Sequence, residues 1–205
     1  MFFSFWKRKK QPPTLPGRWV LLPLGNPGEE YVATRHNLGR LILQRWIDNN
    51  SLKPTETHRF YCGAAYSLTK GLAAIVPSTY MNLSGKAVAE ALKSGFQLDR
   101  MMVLHDDKDL PLGTGRLSKS GSSAGHRGIQ SIMDVLACGD FVRLRLGIGP
   151  FERPLKEWVL EEWTDREWAI IENMDAPFSK IIAALSGNPA VSDLQIQVNS
   201  PAFWQ

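Results

Sequence analysis

Trp19-Val20-Leu21-Leu22-Pro23-Leu24, followed at once by Gly25-Asn26-Pro27-Gly28, is the stretch that decides the fold class. An apolar run with no polar interruption describes a strand buried on both faces, as found inside parallel sheets. The Gly-Asn-Pro-Gly turn stops it. A helical pattern then covers about residues 37–49, with Leu38, Leu41, Ile42, Leu43 and Trp46 on or near one face. Further along, residues 60–65 and 72–76 have strand character, and 84–94 is a helix closed by Gly95. A second buried strand over 101–104 ends in His105-Asp106-Asp107. Residues 115–119 predict another strand, and a Gly/Ser-rich loop at 120–125 opens a helix over 128–136. Residues 141–148 alternate, which predicts a half-exposed strand, and Thr164 with Glu167 forms a capping box before a final helix. Strands interleaved with helices predict one α/β domain over residues 19–190, with a mixed, largely parallel twisted sheet surrounded by helices. Residues 1–18 read as a flexible basic N-terminal extension and 191–205 as a C-terminal tail.

The charge is unevenly placed. The 205 residues hold 24 Lys and Arg against 20 Asp and Glu, for a net +4. Residues 1–18 supply five basic residues and no acid, so the rest of the chain has 19 basic against 20 acidic. Within that remainder, residues 19–150 carry 15 basic and 11 acidic residues, and 151–205 carry 4 and 9. The positive excess therefore surrounds the strand-end residues described below, which fits a polyanionic partner. No apolar run reaches the roughly 18 residues that a spanning helix needs. Two cysteines, Cys62 and Cys138, are too few for a disulfide scaffold or a multi-cysteine zinc site. A reduced, cytoplasmic setting is expected, with an organellar route left open by the apolar-then-basic N-terminus.

Several polar residues fall just past the ends of apolar strands, the edge at which open α/β sheets bind ligands. They are Asn26, Asn82, His105, Asp106, His126 and Arg127, with His36 at the start of the first helix. His36 and Asp106 suit a base and its orienter: the carboxylate fixes the imidazole tautomer and raises its basicity toward water. Asn side chains can donate to a developing oxyanion. This set suits hydrolysis of an acyl ester or amide by activated water. A serine nucleophile lacks its Gly-x-Ser-x-Gly elbow. A metal held by His36, His105, His126 and Asp106 is the rival reading, but no closely paired ligand spacing occurs. The turn at 25–28 is not a dinucleotide fingerprint, and no Walker sequence is present. Lys86, Arg116, Lys119, Arg127, Arg143 and Arg145 make either an ordinary solvated face or a set of phosphate contacts.

Five motifs in order carry a resemblance. They are Gly25-Asn-Pro-Gly28 with Tyr31 and Thr34-Arg-His-Asn37, then Thr79-Tyr-Met-Asn-Leu-Ser-Gly85, His105-Asp106 with Asp109-Leu-Pro111, Gly125-His-Arg-Gly128, and Arg143-Leu-Arg-Leu-Gly-Ile-Gly149. Over roughly residues 19–186 the chain resembles the bacterial-type peptidyl-tRNA hydrolase family. The resemblance implies a monomeric, metal-free and cofactor-free esterase that frees tRNA from peptidyl-tRNA. It implies His36 as the base, Asp106 as its orienter, and Asn26, Tyr31, Met81 and Asn82 as substrate-holding residues. Arg145 matches a residue that grips the tRNA 5′-phosphate. The sequence departs from the family pattern at Arg127, where the family usually has Asn in Gly-His-Asn-Gly. Arginine can donate to an oxyanion but cannot accept, and its charge depresses a neighbouring histidine. It also departs at Ser118, where Lys is common and Lys119 is adjacent. A catalytically weakened RNA-binding paralogue of the same fold is the alternative reading, favoured by Arg127 and the basic extension. A small-ester hydrolase without an RNA partner is a third, opposed by the basic middle segment.

Overall fold

Alternate residues of the first strand belong to two different cores. In β1 (Trp19–Pro23), Trp19 and Leu21 pack into one hydrophobic cluster while Val20 and Leu22 pack into another. The strand therefore lies at the middle of a sheet covered on both faces, as period-two geometry requires. The structure is a computed structural model and describes residues 18–151 and 154–205. The extension expected over 1–18 lies outside the described residues except for Arg18.

After β1, helix α1 (Leu38–Asn49) buries Leu38, Ile42, Leu43, Trp46 and Ile47 against the first cluster. β2 (Thr55–Arg59), β3 (Gly63–Ser67) and β4 (Leu72–Pro77) form an antiparallel meander. Helix α2 (Ser84–Lys93) crosses on the opposite face, burying Val88 and Ala91 in the second cluster. β5 (Met101–Pro111) and β6 (Gly115–Ser118) lead to α3 (Arg127–Leu136) and β7 (Val142–Gly149). The C-terminal part is helical: α4 (Leu155–Trp158), α5 (Asp165–Asn173), α6 (Asp175–Ser186) and α7 (Val191–Val198).

The seven strands run in the order β2-β3-β4-β1-β5-β7-β6. The sheet is mixed, as expected, but parallel pairing is confined to its centre: β4-β1-β5-β7 are parallel, while β2, β3 and β6 add antiparallel edges. The chain leaves β1 for one side and returns on the other, so the crevice opens at the C-terminal ends of β1 and β5.

Three expectations change. β5 does not stop at Leu104, because pairing with β7 continues from Met102–Val142 through Asp107–Gly147, so Asp106 sits within the strand. β7 is not half-exposed. Arg143 is 3% exposed because the loop at 120–125 folds over it, and its guanidinium donates to the carbonyls of Ser122, Gly121 and Gly139 at 2.7–2.8 Å. Residues 191–205 are not a tail. Leu194 and Val198 are buried, and the Asn199 amide both accepts from Leu117 N–H at 2.8 Å and donates to its carbonyl at 3.0 Å. That side chain satisfies the open edge of β6 as a neighbouring strand would. The capping box at Thr164 is present, and two more helices follow the one it opens.

Candidate active site

His36 lies in a single 3-10 turn, Arg35–Asn37, that feeds directly into α1. Its backbone N–H donates to Val159 at 2.7 Å, and Arg35 N–H donates to Glu161 at 3.1 Å, so the segment after α4 straps this turn down. Gly39 sets the approach to the sheet: a Cβ there would sit 2.3 Å from the Leu104 carbonyl oxygen. The start of α1 therefore rides on the β5 backbone, and His36 meets Asp106 across 70 residues of sequence.

His36 Nδ1 lies 3.0 Å from both carboxylate oxygens of Asp106. His126 Nε2 reaches one of the same oxygens at 2.9 Å. His126 is also the N-cap of α3, and its Nδ1 accepts from Gly128 N–H at 3.1 Å and Ile129 N–H at 3.2 Å. A nitrogen that accepts two N–H bonds carries no proton, so the hydrogen of His126 is on Nε2 and is donated to Asp106. Asp106 thus receives two imidazole N–H groups. Burial alone would raise its pKa, but His36 and His126 hold it far below the usual carboxylate range. For His36, burial lowers the pKa and Asp106 raises it by charge and hydrogen bond. Arg127 opposes as a like charge, and the net is a pKa above 6.5.

His36, Asp106 and His126 offer ligand atoms within 4.8 Å of one another. The donor chemistry disfavours an ion there. His126 Nε2 cannot release its hydrogen while Nδ1 caps the helix, so the cluster reads as a hydrogen-bond relay rather than a ligand set.

His105, one of the strand-end candidates, takes another role. It is buried, its Nδ1–H donates to the Asp106 carbonyl at 2.8 Å, and burial pushes its pKa down to about 3. It is a neutral packing partner for the His126 ring, 4.9 Å away edge-on.

The remaining candidates divide. Arg127, exposed at the first position of α3, lines a cavity of about 90 Å³ with His36, Asp106, Lys108, His126 and Lys156. Asn26 is buried beyond the end of β1, and its Oδ1 accepts from Met81 N–H at 2.9 Å. Met81 is buried, while Asn82 beside it is exposed. Tyr31 meets Tyr80 edge-to-face at 6.3 Å between centroids. Arg145 pairs with β5, its Nε donating to Asp107 at 2.6 Å, and its side chain is 29% exposed. Lys119 is not brought to this place. It borders a separate cavity with Trp19, Asp99, Phe141 and Val142, at the opposite end of the strands from Asp106.

Two contributors have roles that a reading of sequence alone does not assign. His126 is there a strand-end and metal-ligand candidate without an assigned catalytic part; its N-cap position in front of Gly128-Ile129 is the signal that could have assigned its tautomer. Arg35 is read only as part of a motif. Its guanidinium is buried 3.8 Å above the Trp158 ring, donates to both oxygens of Glu167 at 2.9 Å and to the Glu162 carbonyl at 3.0 Å.

The peptidyl-tRNA hydrolase family model matches residues 20–201. The chain is 38% identical over 158 residues to the peptidyl-tRNA hydrolase of Thermodesulfovibrio yellowstonii, covering 75% of this chain and 84% of the relative. It is 36% identical over 188 residues to that of Tropheryma whipplei, covering 90% and 97%. Among solved structures, peptidyl-tRNA hydrolase from Acinetobacter baumannii superposes with a TM-score of 0.77 at 27% identity, covering 90% of this chain and 95% of that one.

Proposed function

This chain belongs to the peptidyl-tRNA hydrolase family, which acts on the ester bond of peptidyl-tRNA, and we propose that His36 activates the water in that hydrolysis. The observation that carries this is the His36–Asp106 pair: Nδ1–H is committed to the carboxylate, which leaves the Nε2 lone pair for water. Water gives its proton to Nε2 as its oxygen attacks the ester carbonyl joining peptide to the 3′ ribose. Asp106 stabilises the imidazolium that forms. The Arg127 guanidinium, in the same cavity as His36 and where the family has Asn, donates to the oxyanion. As the C–O bond breaks, the ribose oxygen takes the proton back from His36, leaving a free hydroxyl on tRNA and a carboxylic acid on the peptide, which loses its remaining proton to solvent. Asn26, Tyr31, Met81 and Asn82 hold the peptide, and Arg145 and Lys119 meet tRNA phosphates, Lys119 well away from the ester. The enzyme works as a monomer, without a metal, in the cytoplasm. Among the described residues, no helix is long and apolar enough to cross a membrane.

His36 must be neutral to accept the proton, and its pKa is raised above 6.5. Hydrolysis of an N-blocked aminoacyl-tRNA is therefore expected to fall as pH drops through a single step that lies higher than that of an ordinary histidine. A kcat/KM that stays flat across the histidine range would remove His36 from the role of base.

Arg127→Asn tests the departure from the family pattern. Removing the like charge lets the His36 pKa climb further, so the acid step is expected to move to higher pH. Turnover on the alkaline plateau should be equal or faster. A loss above about tenfold, near 1.4 kcal/mol, would show that Arg127 contributes more to the transition state than it costs the base.

A further inference from the structure

Arg40 is a cation without an obvious reason to be where it is. It is partly buried on α1, and among the described residues it forms no ion pair with a carboxylate. Burial lowers its pKa to about 10, so it remains charged at neutral pH, and its Nε is buried without a hydrogen-bond partner. The neighbouring cavity, about 590 Å³, has Leu41, Ile47, Leu68 and Val76 in its wall beside the polar Asn26, Glu29 and Gln44, and an apolar side chain against those four would avoid desolvating a charge. Stability alone does not account for an arginine at this position.

Its two Nη groups do account for it. Nη1 donates to the Asn26 carbonyl at 3.2 Å, and Nη2 donates to the Pro77 carbonyl at 2.6 Å. Asn26 follows β1, and Pro77 ends β4 where the chain departs for Met81 and Asn82. The guanidinium therefore ties together the two segments that carry the proposed peptide-holding residues. Other bonds complete the frame around Asn26. Its N–H donates to Asn37 Oδ1 at 2.8 Å, its carbonyl accepts from Asn37 Nδ2 at 3.0 Å, and its Oδ1 accepts from Met81 N–H. Every polar group of Asn26 except Nδ2 is fixed inside the protein. The amide is thereby oriented as a donor. Gly25 makes the arrangement sterically possible, because a Cβ there would lie 2.5 Å from Arg40 Cδ and 2.7 Å from Nε.

We propose that Arg40 is a positioning residue for the substrate's acyl side, a brace that sets the separation of the Asn26 turn and the Met81–Asn82 turn. The proposal rests on the reading of Asn26 and Asn82 as substrate-holding residues. It is independent of which group activates water. Arg40 touches neither His36 nor Asp106, so its loss acts on binding rather than on proton transfer.

The experiment is steady-state hydrolysis of N-acetyl-aminoacyl-tRNA by Arg40→Met, Arg40→Lys and Gly25→Ala, with thermal melts on each variant. Arg40→Met is expected to raise KM about tenfold or more while kcat at saturation stays within about threefold and the acid step keeps its position. Arg40→Lys, which can reach one carbonyl but not both, should fall between. Gly25→Ala leaves Arg40 in the sequence but pushes the guanidinium aside, and should reproduce the KM increase. Unchanged KM in Arg40→Met overturns the proposal, and so does a kcat loss as large as the KM increase in both Arg40→Met and Gly25→Ala. The two readings fail separately. A flat pH profile with the KM shift intact removes His36 as base and leaves the brace; a normal acid step with no KM shift does the reverse.

Discussion

Asp106→Asn is expected to lower kcat/KM for an N-blocked aminoacyl-tRNA by about 10³–10⁴, nearly as much as His36→Ala. Asp106 accepts from two imidazole N–H groups, one from His36 and one from His126. The two imidazoles share Oδ1, so an asparagine that keeps its oxygen there puts its NH2 in the place of Oδ2, 3.0 Å from His36 Nδ1 alone. The His126 hydrogen is pinned on Nε2 because Nδ1 caps α3. His36 has no such anchor, so it is His36 that turns to the other tautomer, placing its hydrogen on Nε2 and removing the lone pair that receives water's proton. Loss of the carboxylate charge also lowers the His36 pKa, so the residual acid step should move to lower pH. Because the pair acts as a unit, the double variant should be little worse than either single one. Rates from single-turnover release of the blocked amino acid, with circular dichroism to verify folding, decide this. Asp106→Asn within about tenfold of the parent enzyme would show that the carboxylate does not set the tautomer.

Arg35→Met is expected to destabilise the protein by about 3–5 kcal/mol, the range for breaking a buried charge pair from one side. The guanidinium is 3% exposed, holds both oxygens of Glu167 at 2.9 Å and stacks 3.8 Å from Trp158. Glu167 also caps α5, accepting from Thr164 N–H at 2.8 Å. Removing the arginine leaves this carboxylate partly buried without its cation and strips one face from the tryptophan. For a domain of this size the midpoint should fall by roughly 6–20 °C. Tryptophan fluorescence should report the change at Trp158 before global unfolding. Activity at low temperature should drop as well, since the same segment supplies the Val159 carbonyl that holds His36 N–H at 2.7 Å. A stability change below about 1 kcal/mol, the value of an ordinary exposed pair, would mean that the aromatic stack and the remaining carbonyls hold the strap without the charge.

The fold class was legible because it rests on local pattern. The unbroken run from Trp19 to Leu24, stopped at once by a Gly-Asn-Pro-Gly turn, reads as a strand covered on both faces, and the two clusters that receive its alternate side chains bear this out. The helix after it, the capping box at Thr164 and the crevice at the strand ends follow from spacing and turn chemistry in the same way. The errors came where a distant segment overrides the local signal. Arg143 alternates with apolar residues as a wet-face residue does, but three carbonyls from a loop and a turn satisfy it inside the protein. The last fifteen residues are weakly patterned, and become structure because Leu194 and Val198 enter the first cluster and Asn199 finds the open edge of β6. Lys119 stands next to the expected position in sequence, yet strand geometry carries it to the far end of the sheet.

At the site itself, sequence determined which residue types are available: His36, Asp106, Asn26, Met81, Asn82 and Arg127 in motif order. Tertiary structure decided their states. Gly39 lets α1 ride on β5 so that His36 reaches Asp106; the N-terminus of α3 fixes the proton of His126; burial keeps His105 neutral; Met81 N–H orients the Asn26 amide as a donor, and Arg40 ties the Asn26 and Pro77 carbonyls together. A sequence names donors and acceptors, but a tautomer, a pKa or the direction of an amide depends on the groups a few ångströms away, and here those groups come from segments tens of residues apart along the chain.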